Sequence, residues 1–433
     1  MTWGAYPGTV TVIAVDDTDS RERGMCTTYV AARLAERVRE AGGAVDRTVL
    51  VRLNPAVKHK TRGNAALAVH CDLPVPRALA LLDDALDRAE TDDPRTNPGG
   101  VVVDAGPETV PAAFADVARR AVREYLNLEA VRDVLAGANI ETAERGNGRG
   151  LVGATAAAGS WRAWAEDDAE TTYECISYRE RDRWGTDREV DFDSTVAAAD
   201  AGYPEVWDTV DREEGVAVCV PRTPCPILHG VRGEDPDSVQ QVARRIGSEP
   251  VDFRHIFVTN QGTDAHLRAG TVADAQDGRA YRLDGTVATP PETEEGGHVF
   301  FTLEGNSEIR CAAFEPTKRF RDRVRPLRVG DRLTVCGEVS DGTVKLEKFA
   351  LRDAVGTERV TPDCPDCGNS MKSAGANAGY RCRGCETSAE GRVERELDRD
   401  IEEGWYEVPP VARRHIAKPL IRGGFDAATH PER

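Results

Sequence analysis

Val10-Thr-Val-Ile-Ala-Val15-Asp16-Asp17-Thr18-Asp19-Ser20 decides how the first half of the chain is read. The β-branched run 10–15 has the look of a buried strand, and it stops abruptly in three carboxylates within four residues. Downstream, Val30, Leu34 and Val38 repeat at i+4, which predicts a helix from about Thr27 to Ala41, stopped by Gly42-Gly43. A strand over 48–53, a second over 65–70, a helix over 76–89, a strand over 101–104 and a mostly helical stretch over 111–135 follow. Strands alternating with helices predict an α/β layered domain.

In open α/β sheets, ligands bind outside the carboxyl ends of strands, where the 16–19 loop falls. Carboxylates this close repel one another unless a cation neutralises them, and Mg²⁺ is the natural cation when phosphates complete its shell. The competing reading is an acidic turn on an acidic surface. Lys58-His-Lys60-Thr-Arg62-Gly-Asn64 clusters cations in a chain whose 56 basic residues include only seven lysines. We take Lys58, Lys60, Arg62 and Asn64 as candidate phosphate contacts, against the alternative of a solvated basic loop. No GxxxxGK[ST] motif occurs. Gly148-Arg-Gly150-Leu-Val-Gly153 matches GxGxxG, but the strand and βαβ context are missing, so it predicts a close-packed helix N-terminus.

The stretch after Gly153 predicts strands at 172–178, 216–220 and 255–259, with helices near 194–200 and 238–246. That order suits a ferredoxin-like α+β domain. Asn260, Gln261 and Asp264 end its last strand and can hydrogen-bond a small polar ligand, or form an Asx-turn linker. Cys225, between prolines and without a histidine base, suits a structural role. Strands at 281–288, 298–303, 308–314, 332–339 and 344–351, with a helix-compatible KRFRDRVR between the third and fourth, form the pattern of an OB-fold barrel. Cys364-Pro-Asp-Cys367 and Cys382-Arg-Gly-Cys385 are two CxxC knuckles, predicting one closed structural Zn²⁺ site, with rubredoxin-type iron the lesser option. A charged helix at about 391–403 is expected before the tail.

The 433 residues carry 56 Lys+Arg, 74 Asp+Glu and a net charge of −18. Such a balance suits a protein adapted to high salt and argues against binding nucleic acid through one strong basic field. No apolar run approaches the ~20 residues of a membrane span, and no secretion signal opens the chain. A cytoplasmic location is expected.

Taken together and in order, DDTDS, GMCTTY (24–29), LNPAVKHKTRGNAALA, NGRGLVGATAAAG, TPCPILHGVRG, FVTNQGTDAHL, the barrel pattern and the ribbon closely resemble the archaeal isoleucine-tRNA 2-agmatinylcytidine synthetases, or agmatidine synthases. The resemblance runs from residue 10 to about 422. It implies an ATP-dependent C–N ligase that joins agmatine to C2 of the wobble cytidine in an isoleucine tRNA with a CAU anticodon, releasing AMP and diphosphate. It also implies a kinase-like ATP and wobble-cytidine domain (1–150), a ferredoxin-like domain on the agmatine side (151–266), an OB-fold (267–355), a zinc ribbon (356–390) and a C-terminal helix with a basic tail (391–433). Asp16, Asp17, Thr18 and Asp19 are then catalytic, with ATP and Mg²⁺. Thr18 matches the threonine that names the family's kinase-like domain.

Agmatine is a dication, so its pocket needs carboxylates. Asp208, Asp211 and Asp264 are chosen on charge and location, with Asn260 and Gln261 beside them. Lys318, Arg319, Arg413, Arg414, Lys418 and Arg422 are expected tRNA phosphate contacts. No obligate protein partner is called for. The alternative class is a replication-protein-A-like single-strand binder with an OB-fold and zinc ribbon. It leaves residues 10–265 unexplained.

Overall fold

The computed structural model describes residues 10–58, 60, 63–138, 140–376 and 378–433. The opening run folds as strand β1 (Thr11–Asp16), followed by α1 (Thr27–Glu40), β2 (Val45–Arg52), β3 (Ala65–Cys71), α2 (Val75–Leu86) and β4 (Gly99–Val103). Next come α3 (Ala112–Ala121), α4 (Leu128–Ala138), β5 (Glu141–Glu144) and α5 (Gly150–Glu166). Side chains of β1 alternate between two cores, as the period of two demands. Val12 and Ala14 pack with Phe114, Leu135 and Ala154 from the α3–α4–α5 side, while Ile13 and Val15 pack with Leu34 and Leu82 from the α1–α2 side. Both faces are covered, which is why the strand is apolar from Val12 to Val15.

The ferredoxin-like half contributes β6 (Thr172–Arg179), α6 (Phe192–Gly202), β7 (Val206–Trp207), β8 (Ile227–Gly233), α7 (Pro236–Arg245) and β9 (Val251–Thr259). Its strands do not form a separate sheet. All nine strands lie in the order β5-β4-β1-β3-β2-β9-β6-β8-β7, and the halves join through the parallel pair β2–β9, with Val49 opposite Val258 and Leu50 opposite Thr259. Strands β1, β2, β9 and β8 therefore end on the same edge of one sheet.

The expected strand at 216–220 is absent. Val216 only bridges Asp211 across the turn at 212–215, residues 218–220 form turn and bend, and the inner strand is β8, whose glycines hid it from a propensity reading. The helical stretch 111–135 is two helices, α3 and α4.

Strand β10 (Leu267–Ala269) leads into the barrel of β11 (Ala280–Val287), β12 (Glu292–Thr293), β13 (Val299–Glu304), β14 (Glu308–Ala313), the short helix α8 (Phe320–Val324), β15 (Arg332–Ser340) and β16 (Thr343–Asp353). The ladder β11-β13-β14-β16-β15-β11 closes, with β14–β16 as its parallel pair and α8 between β14 and β15. That is the OB-fold topology. Phe301, which points inward, is core, whereas Phe300 and Phe314 stack edge to face outside it.

The ribbon comprises β17 (Thr357–Val360), β18 (Lys372–Ser373), β19 (Tyr380–Arg381), β20 (Ser388–Ala389) and β21 (Val393–Glu396). Residues 391–403 were expected to be a helix. They hold β21 instead, paired with β17, because the ribbon's stem needs a partner strand there. Strands β22 (Gly404–Glu407) and β23 (Thr429–His430) return to the barrel, where β22 extends the sheet beside β16. Among the described residues, no helix is long and apolar enough to cross a membrane.

Candidate active site

A cavity of about 470 Å³ opens along the shared sheet edge. Its wall at the β1 end contains Asp16, Asp17 and Asp19. Asp17 takes a left-handed backbone (φ 60°), and its Oδ2 accepts the Asn97 N–H at 3.0 Å. The Thr96 hydroxyl donates to the Asp19 carbonyl at 2.8 Å, so the 93–97 loop straps the acidic turn in place. Burial, then the neighbouring carboxylates, hold Asp16 well above the ordinary carboxylate range. Burial likewise pushes Asp17 up to about 7. Like charges crowded out of water suit a cation.

Two helices aim their N-termini here. Cys26, Thr27 and Thr28 at the start of α1 line the cavity, as do Arg149, Val152 and Gly153 at the start of α5. A Cβ on Gly153 would lie 1.9 Å from Asp16 Oδ2, and one on Gly150 would lie 2.3 Å from the Gly99 nitrogen. The glycines of the GxGxxG match thus let α5 sit directly against β1 and β4. Helix N-termini carry partial positive charge, a favourable setting for phosphate.

Lys60 and Asn64 line the cavity, whereas Lys58 is exposed outside it. Arg62 lies outside the described residues. Thr18 is buried, with its hydroxyl 3.1 Å from Thr27 Oγ1, rather than facing the cavity.

The proposed agmatine residues are not on this wall. Asp208 is ion-paired with Arg413. Asp211 is fully buried, 3.0 Å from Arg319 and accepting the Val411 N–H at 3.3 Å. Asp264 is bound by Lys348 at 2.7 Å and by the Lys418 N–H at 2.7 Å. Asn260 exchanges two hydrogen bonds with the Arg52 backbone, at 2.7 and 3.0 Å, tying β9 to β2. Gln261 donates to Glu174 at 2.6 Å.

The expected phosphate contacts of the tail also turn inward. Arg413 lies in the cavity floor with a side chain only 2% exposed, shared by Asp208 and Glu407. Arg414 pairs with Glu347 at 3.2 Å, Lys418 with Glu170 at 2.9 Å, and Arg422 with Glu234 at 2.9 Å. Arg319 bridges Asp211 and Glu432, and Lys318 lies 3.4 Å from Glu214. These basic groups brace the tail against the ferredoxin-like half and the barrel.

Sequence reasoning missed Arg149, Arg52, Glu174 and Arg232, all of which line the cavity. Arg149 sits inside the GxGxxG match and was within reach of a sequence reading. The other three converge only through the register of β2, β6 and β8. Residues 216–223 form another wall. Arg188 holds part of it, donating to the carbonyls of Pro221 (2.9 Å), Thr223 (3.0 Å) and Ile227 (2.8 Å) and contacting Cys225 Sγ at 3.1 Å.

In the ribbon, the ligand atoms of Cys364, Cys367, Cys382 and Cys385 lie within 4.8 Å of one another. Four convergent thiols with no open position suit a structural tetrahedral metal.

Family models match three stretches: the TiaS TCKD domain at residues 12–73, the TiaS FLD domain at 148–266 and the TiaS C-terminal zinc ribbon domain at 361–401. The isoleucine-tRNA 2-agmatinylcytidine synthetase TiaS of Haloquadratum walsbyi is 49% identical, covering 98% of this chain and 100% of its own length. That of Methanosarcina mazei is 43% identical, covering 95% of this chain and 97% of its own. Among solved structures, a complex of TiaS with isoleucine tRNA and ATP matches with a TM-score of 0.88 at 38% identity, over 98% of this chain and 100% of that one. A complex of TiaS with isoleucine tRNA, AMPCPP and agmatine matches with a TM-score of 0.86 at 36% identity, over 98% and 100%.

Proposed function

The chain belongs to the isoleucine-tRNA 2-agmatinylcytidine synthetase (TiaS) family, and from that premise we propose how its residues divide the reaction. It is an ATP-dependent ligase that joins agmatine to the wobble cytidine of isoleucine tRNA, forming agmatidine. The end-to-end match to these synthetases accounts for residues 10–265, which a single-strand binder leaves without a purpose.

The observation that carries the residue-level reading is the cavity where Asp16, Asp17 and Asp19 meet the N-termini of α1 and α5. The C2 oxygen of cytosine is a poor leaving group, so ATP must first convert it into one that an amine can displace. Asp16, Asp17 and Asp19 would hold Mg²⁺, and their crowding and the raised proton affinity of Asp16 and Asp17 fit that cation. The metal supplies neutralisation of phosphate charge. Arg149, Lys60 and the two helix N-termini orient the phosphates, while Asn64 shapes the loop by donating to the Asn54 carbonyl at 2.7 Å. Thr18 supports the turn from below through Thr27.

We assign the domains as 1–150 for ATP and cytidine, 151–266 for the ferredoxin-like half, 267–355 for the OB-fold, 356–390 for the ribbon and 391–433 for the strap. Asp208, Asp211 and Asp264 are braces in this reading, because each is already neutralised by a basic side chain. Among the described residues, the cavity's carboxylates are Asp16, Asp17, Asp19, Glu124 and Glu174; Glu174 stands between Arg52 and Arg232, which leaves the other four to receive the dication agmatine. The tail arginines hold the fold, so tRNA contact falls to other surfaces of the barrel and ribbon. Lys318, with a side chain 36% exposed, is the most open of the six candidates. The enzyme works in the cytoplasm beside its tRNA.

AMP release tests this reading. It should require agmatine and isoleucine tRNA together. Release without either substrate, or none with both, would overturn it.

A further inference from the structure

We propose that Arg52 and Arg232 form a phosphate seat at the end of the cavity away from Asp16, and that it takes a backbone phosphate of the tRNA strand carrying the wobble nucleotide. This rests on the tRNA-modifying reading above and adds the residues that seat the strand.

Arg52 ends β2, and Arg232 is the second-last residue of β8. Between them, on β6, stands Glu174, directly across the ladder from Arg232. The end of β8 lies five strand spacings from β1, about 24 Å of sheet edge at ~4.8 Å per spacing. One cavity therefore runs from an acidic end at β1 to a basic end at β2, β6 and β8.

The two guanidiniums are held loosely. Arg52 reaches Gln261 Oε1 at 3.3 Å and Glu174 at 3.8 Å. Its buried Nε has no hydrogen-bond partner among the described residues. Arg232 reaches the Asp208 carbonyl at 3.5 Å and its carboxylate at 3.9 Å, although its side chain is only 4% exposed. A buried arginine serving structure looks different: Arg179 makes a two-pronged pair with Glu249 at 2.6 and 3.0 Å and also bonds Thr186 and Asp187.

Arg52, Arg232 and Arg413 face Glu174, Asp208 and Glu407, and Asp208 is committed to Arg413. Burial pushes Glu407 up to about 7, so it withholds part of its charge near neutral pH. His415, which also lines the cavity, is held neutral by desolvation and then by Arg52 and Arg232.

Two under-bonded guanidiniums around the single carboxylate Glu174 receive an anion better than agmatine, a dication. Guanidiniums match phosphate oxygens in geometry and charge. ATP has its own setting at the other end, at two helix N-termini and the Asp16–Asp19 loop. A strand entering with its target base turned out of the stack brings its backbone phosphates with it.

The test compares full-length enzyme and its Arg232→Gln and Arg232→Lys variants. Each is titrated with intact isoleucine tRNA and with the same tRNA carrying one neutral methylphosphonate linkage, placed in turn on the 5′ and 3′ side of the wobble cytidine. Binding of ATP alone is measured in parallel. Arg232→Gln should weaken intact tRNA at least about tenfold, the scale of one charged hydrogen bond, and Arg232→Lys should recover part of that. At one of the two linkages the methylphosphonate should weaken wild type similarly, yet cost Arg232→Gln almost nothing more. ATP affinity should stay within about twofold, which also reports a folded cavity. Unchanged tRNA affinity, losses that multiply at both linkages, or a loss of ATP affinity with tRNA affinity retained would each overturn the proposal. If wild type neither binds nor modifies the tRNA, the functional reading fails instead.

Discussion

Single residues here are governed by whether their charge has a partner. His70 is fully buried, neither ring nitrogen has a hydrogen-bond partner among the described residues, and burial lowers its proton affinity to about 3. In the native protein it stays neutral, while in the unfolded chain it titrates near 6.5. Stability from this residue is therefore intact above about pH 6.5 and falls as pH drops toward 3. His70→Leu should remove up to about 1.4 kcal/mol per pH unit from the acid-side slope, read from urea midpoints at pH 6.5 and pH 5. An unchanged slope would contradict the burial argument. Asp16→Asn should abolish tRNA modification while leaving tRNA binding within about twofold, measured by titration. The acidic loop was legible in the sequence because strand and carboxylates are adjacent there. Asp208 and Asp211 were misjudged because charge counting cannot see partners such as Arg413, 205 residues away, or Arg319, 108 residues away.

Among the elements, α5 shows how sequence and site are coupled. Its glycines serve close approach, so Gly153→Ala should displace Asp16, cost about 1–3 kcal/mol of stability and lower the modification rate at least tenfold. Gly137, in the last turn of α4, meets nothing within 4 Å of a built Cβ. Gly137→Ala should instead stabilise by about 0.5–1 kcal/mol with unchanged activity. Thermal melts and initial rates of the two variants, compared side by side, check both. Helices and barrel strands were legible because their apolar periods are strong. Strand β8 was not, since Gly230 and Gly233 interrupt it and Glu174 packs where a side chain on Gly230 would lie. The stem strand β21 was read as a helix because all four of its residues are exposed, leaving no apolar alternation to mark it.

At the scale of the whole molecule, the active cavity exists because two halves read as separate units share one sheet through β2 and β9. No local pattern announces a parallel pairing between residues some 200 apart, so the acidic end was legible and the basic end was not. The ribbon is a satellite: among the described residues its own core is Cys364, Met371 and Cys382, with Tyr380 and Ala389 beside them. Chelating its metal should expose 361–401 to protease while the melting of the sheet and barrel stays unchanged. A net charge of −18 sets a further expectation: melting temperature should rise as salt increases, because repulsion among exposed carboxylates is screened within ~3 Å at 1 M. The most direct measurement is mass spectrometry of the anticodon nucleosides after incubation with ATP, agmatine and isoleucine tRNA. The wobble cytidine should gain the mass of agmatine less one water, and the gain should vanish in Asp16→Asn. An unmodified cytidine with wild type, or full modification by Asp16→Asn, would contradict the account.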